Sequence, residues 1–105
     1  MVELFLTTRT TTAVVDSIRQ FVESRALTWL FHDGSPPQLR HVRRQQVTVD
    51  LHETDEWLRA TIDGPRAEDV LFVLEKLLSR LVIWFGTEIR ELRIVLKLDD
   101  RAEEG

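Results

Sequence analysis

Cysteine is absent from this chain. That excludes disulfides, thiolate metal sites and a cysteine nucleophile, and it suits a reducing, cytoplasmic setting, which is the expected location. Glycine is scarce, and Gly64 stands alone before a helical pattern, so no glycine-rich phosphate loop surrounds it. No unbroken apolar run reaches the ~18 residues of a membrane span, so no membrane is expected as a partner. Positive charge is also short. A net charge of −4 weighs against generic nucleic-acid binding, which leans on excess cations. Lysine is limited to Lys76 and Lys97 against twelve arginines, a bias associated with GC-rich genomes, and a bacterial source is the expectation. Met1, Val2 and Glu3 lead straight into patterned sequence without a basic-then-apolar leader, so no export signal is expected.

What is present reads as one globular domain. The 105 residues are 43% apolar and 30% charged, enough for a core without cross-links. Residues 1–99 are expected to form a single α+β domain, and 100–105 (DRAEEG) a frayed acidic tail.

The most strongly patterned stretch runs from Pro65 to Gly86. Pro65 suits a first helical position, Glu68 and Asp69 suit the positive end of the helix dipole, and Gly86 suits the stop. Val70, Leu71, Val73, Leu74, Leu77, Leu78, Leu81, Val82, Trp84 and Phe85 form a stripe wider than one ordinary helix face. Burying Leu71, Leu74, Leu78, Leu81 and Phe85 would contribute on the order of 10 kcal/mol gross. Phe72 and Ile83 fall in the otherwise polar sector, aligned about three turns apart.

Elsewhere the pattern alternates. Val2, Leu4 and Leu6 predict a strand with one buried face. A threonine-rich connection, Thr7 to Thr12, offers helix caps, and Val14, Val15, Ile18, Phe21 and Val22 then predict an amphipathic helix to about Ala26. Leu27 to His32 is rich in strand formers and predicts a short strand, and Asp33 to Pro37 a turn with a stiff extended connection. Arg43 to His52 and Trp57 to Asp63 predict a hairpin around the polar turn Glu53-Thr54-Asp55-Glu56, and Arg90 to Asp99 a last strand with Leu92, Ile94, Leu96 and Leu98 inward. The expected architecture is a two-layer α+β sandwich, an antiparallel or mixed sheet of four to five strands with two helices on one face. Its order, β-α-(β)-β-β-α-β, resembles the ferredoxin-like split βαβ arrangement in topology alone. A fold of that kind hosts too many functions to imply one.

No catalytic constellation, metal or cofactor is expected. His32, His41 and His52 do not pair at metal-ligand spacing and are expected to be ordinary surface histidines. The carboxylates Glu53, Asp55 and Glu56 sit in a turn too short, and too poor in glycine, to cage a hard cation. The leading expectation is a non-enzymatic protein–protein interaction or regulatory module, which could self-associate as a homodimer. Phe72, Ile83 and Trp57 are its expected contact residues, with Arg43 and Arg44 as a charged rim. One alternative is an RNA- or single-strand-binding domain that uses Arg40 to Arg44 with Phe5, Trp57 and Trp29 on the open sheet face. The other is a small enzyme or ligand binder with His32, Asp33 or His52 in a cleft at the sheet edge.

Overall fold

The computed structural model describes residues 1–9, 13–25 and 28–97. In chain order the elements are β1 (Val2–Thr8), α1 (Val14–Arg25), β2 (Trp29–His32), β3 (Gln38–His41), β4 (Thr48–Glu53), β5 (Leu58–Asp63), α2 (Ala67–Phe85) and β6 (Ile89–Leu96), the last entered through a 3-10 turn at Gly86–Glu88. The strands form one six-stranded sheet in the order β2-β3-β4-β5-β1-β6, and every pairing is antiparallel. No helix among the described residues is long and apolar enough to cross a membrane.

Period-two alternation explains the core. Leu39 lies opposite Val49, Val49 opposite Ile62, and Ile62 opposite Val2, so one apolar row crosses four strands. Leu51, Ala60 and Leu4 make the next row. Ile18 and Val22 of α1 and Val73, Leu77 and Leu81 of α2 close over these rows, in one buried cluster. Between the helices, Phe21 stacks on Trp84 at 5.5 Å and meets Phe85 edge-on at 5.9 Å.

Several expectations need correction, among them the start of β4, expected at Arg43 and found at Thr48. First, the sheet has six strands rather than four to five, and the order is β-α-β-β-β-β-α-β. The unforeseen strand is β3, whose second inward position is His41, so its alternation carries only one apolar letter, Leu39. Second, Trp29 is not on the open face. It is buried on the helix side, opposite His41. Third, the apolar stripe of α2 is not all core: Leu71 is 51% exposed and Val82 56%, while Leu78 is half-buried. Fourth, α2 begins at Ala67 with Arg66 as its N-cap, two residues later than Pro65 suggests.

The α1 start is capped from an unexpected place. Glu53, at the end of β4, accepts the backbone N–H groups of Val14 (3.1 Å) and Val15 (3.0 Å) through its two carboxylate oxygens. A residue read from sequence as part of a solvated turn thus ties the sheet to a helix and opposes its dipole. The proposed threonine caps at positions 10–12 lie outside the described residues, as do Ala26, Leu27, Leu98, Asp99 and the acidic tail. Gly64 explains itself by contact: a Cβ there would stand 2.9 Å from Val47 Cγ2, so the chain after β5 can only pass this core valine as glycine. Gly86 ends α2 with a positive φ of 48°, its N–H bonded to the Val82 carbonyl.

Candidate functional site: the groove between α2 and the β2–β3 hairpin

Three of the five contact residues expected from sequence come together in one place. Phe72, Lys76, Ser79, Arg80 and Ile83 recur at helical spacing along one flank of α2. Facing them are Thr28 and Trp29 at the start of β2, His41 at the end of β3, and Arg43 in the following turn. The cleft between the two walls has a volume of about 350 Å³.

His41 is its hinge point. Sequence reading makes it a surface histidine, but only 4% of it is exposed. Its ring lies edge-on between Trp29 at 5.1 Å and Phe72 at 5.2 Å. Its Nδ1 accepts the backbone N–H of Arg43 at 3.1 Å, which assigns the proton of the neutral ring to Nε2. Burial pushes its pKa below the ordinary 6.5, and the nearby charges of Arg43, Lys76 and Arg44 push it the same way. The signal that marks His41 as inward is its two-residue spacing from Leu39, which becomes visible once β3 is known.

Phe72 is therefore half-buried rather than water-facing. His41 covers its edge, and the Arg44 guanidinium lies 4.3 Å and the Lys76 ammonium 5.4 Å from its ring centre. Ile83, 64% exposed, supplies apolar surface at the other end. The charged groups on the walls are Arg43, Lys76 and Arg80, with no carboxylate among the lining residues. In a chain of net charge −4 this is a local excess of cations.

Arg44 stands beside the groove and is tied to the fold. Its Nε donates to the Asp69 carboxylate at 2.9 Å, and its Nη1 to the Arg43 carbonyl at 2.8 Å. Asp69 is buried in the first turn of α2 and also takes a long 3.5 Å bond from Gln46. These bonds latch the β3–β4 turn onto the helix and hold Arg43 at the groove mouth. A second cleft of about 470 Å³ shares Arg43 and Phe72, but there Asp69 and Glu68 balance Arg44 and Arg66.

Trp57 lies elsewhere. It meets Phe5 edge-on at 5.6 Å on the open face, where Arg93 lies 5.0 Å over Phe5 and Arg59 6.0 Å over Trp57. Glu3 lies near them, bridged to Lys97 at 2.8 Å and Arg59 at 3.8 Å; the Lys97 hydrogen bond outweighs burial and holds its carboxyl below the usual range. The basic run Arg40 to Arg44 is divided. Arg40 turns to the open face and bonds Gln45 and Gln38, whereas Arg43 and Arg44 lie on the helix side. His32 and His52 lie on β2 and β4 with β3 between them, and Asp33 accepts a 2.8 Å bond from Arg19. Among the described residues no three His, Asp or Glu gather as a metal site.

Comparison with protein-family models, with curated proteins and with solved structures finds no match. The functional reading rests on geometry.

Proposed function

We propose that the chain is a small non-enzymatic protein-interaction module, a ferredoxin-like plan extended by the β2–β3 hairpin, and that its α2–hairpin groove receives an acidic segment of a protein partner. The observation that carries this reading is the pairing of an apolar floor with an all-cationic rim. Phe72 and Ile83 offer apolar surface, and Arg43, Lys76 and Arg80 stand around it without a lining carboxylate. A partner segment with one aromatic or aliphatic anchor flanked by Asp or Glu fits both features. The anchor gains burial, and its carboxylates gain charge-assisted bonds in a partly desolvated cleft.

The test is a fluorescence-anisotropy titration with labelled acidic peptides, each carrying a central Phe or Ala. Binding is expected to be salt-sensitive, to prefer the Phe peptide, and to be lost in the combined variant Arg43→Gln, Lys76→Gln, Arg80→Gln. Equal affinity of that variant would remove the groove from the account. Tighter binding of a single-stranded oligonucleotide than of any acidic peptide would favour the nucleic-acid reading instead. Ile83→Glu is the cleanest apolar probe, because Ile83 is exposed whereas Phe72 supports His41.

A further inference from the structure

Strand β6 closes one end of the sheet, so one of its edges has no strand neighbour among the described residues. Its helix-side residues are Leu92, Ile94 and Leu96, which lie opposite Leu6, Leu4 and Val2 of β1. The β1 residues are fully covered, yet Ile94 is 39% and Leu96 63% exposed. The reason is position: α2 packs over β5 and β1, and β6 projects beyond it. Leu71 and Val82 lie on the exposed side of the α2 stripe, the flank away from Trp84 and α1. The result is an apolar shelf bordered by an open strand edge.

The backbone phase of that edge is fixed. Met1 and Lys97 exchange both N–H···O=C bonds, at 2.9 and 3.3 Å. In an antiparallel ladder alternate residues bond the same neighbour. Lys97, Val95, Arg93 and Glu91 therefore face β1, and Leu92, Ile94 and Leu96 present their backbone groups to the open side. The register break against β1, between Thr7 and Thr8, lies at the start of β6, away from these three.

We propose that the occupant of this edge is a second copy of the chain, joined β6 to β6 in antiparallel fashion about a two-fold axis at Ile94. Among registers with the axis at Ile94 or either adjacent residue, charge and shape select the one at Ile94. With the axis at Ile94, Ile94 faces its own copy, Leu92 faces the copy's Leu96, and Glu91 faces the copy's Lys97. All three outward backbone positions then find partners, and each outer-face cation meets either a carboxylate or Val95. Moving the axis to Arg93 sets two arginines face to face, and moving it to Val95 sets Arg93 against Lys97; like charges directly opposite are unfavourable. Helices of both copies lie on the same side of the joined sheet, with Ile94 and Leu96 of both chains together at the seam. The assembly is closed, because the edges left over are the four-residue β2 strands. This surface is separate from the α2–hairpin groove.

The absence of cysteine makes the register directly testable. Two Cα atoms directly opposite in a hydrogen-bonded pair are ~5.5 Å apart, within disulfide reach. Under mild oxidation, Ile94→Cys is expected to give a covalent dimer. Leu92→Cys and Leu96→Cys are each expected to form no disulfide alone and to cross-link when mixed. In sedimentation velocity the unmodified chain is expected to run as a dimer and Ile94→Lys as a folded monomer. Glu91→Lys should weaken the dimer about tenfold or more. A monomeric unmodified chain at high concentration would overturn the proposal, as would a dimer that Ile94→Lys leaves intact or cross-linking independent of position. If Ile94→Lys fails to fold, the cysteine pattern decides. Acidic-peptide binding by a monomeric chain would leave the groove reading standing while this one fell.

Discussion

Leu71 and Leu74 are the same residue type three positions apart on one helix, yet they occupy different environments. Leu74 is 8% exposed within the core, whereas Leu71 lies at the shelf beside β6. Leu74→Ala is expected to cost about 2–5 kcal/mol in urea unfolding. Leu71→Ala in the monomeric Ile94→Lys background should cost less than about 1 kcal/mol. His41 gives a second prediction at this scale. Its folded pKa lies below the 6.5 of the free side chain, so between those values the unfolded chain binds a proton that the folded chain does not. Its contribution is complete above about pH 6.5 and is lost as pH falls through that window. Thermal unfolding should show this slope, and His41→Asn, which keeps an acceptor near the Nδ1 position, should flatten it. Glu3 adds a separate loss below its ordinary 4.5, because its folded pKa is also lowered.

Elements were legible where the inward letters are apolar. Strands β1 and β5 alternate cleanly, β4 only from Thr48 because residues 42–47, expected to start the strand at Arg43, form turns, and both helices stand where their stripes place them. Strand β3 was hidden because His41 occupies a core position that only the Trp29 and Phe72 edges make tolerable. The α2 stripe showed how much of the helix is apolar but not which flank a neighbour covers, since that depends on where β6 lies relative to the helix. The cap on α1 was invisible for a different reason: Glu53 is 39 residues from Val14 in sequence, and no local pattern encodes the meeting. Replacing Glu53 with Ala should cost about 0.5–2 kcal/mol, as loss of an N-cap does. Glu53→Gln should recover part of it, because the amide keeps one acceptor but loses the charge. Chemical denaturation of both variants checks this.

At the scale of the whole molecule, two surfaces stand apart from the core on opposite flanks of α2. The groove beside the β2–β3 hairpin is cationic over an apolar floor, and the shelf beside β6 is apolar with complementary charges along its edge. Phe72, Ile83 and Arg43 were readable as interesting from sequence, because two apolar residues in a polar sector and a basic run are local signals. Their convergence was not, because it depends on the strand that the sequence hid. Lys76 and Arg80 were missed as partners for the same reason. The proposal that the groove accepts acidic protein segments is most directly tested by an amide NMR titration of the chain with an acidic, Phe-anchored peptide. Shifts should concentrate at Thr28, Trp29, His41, Lys76, Arg80 and Ile83. Shifts centred on Phe5 and Trp57, or none at saturating peptide, would contradict it.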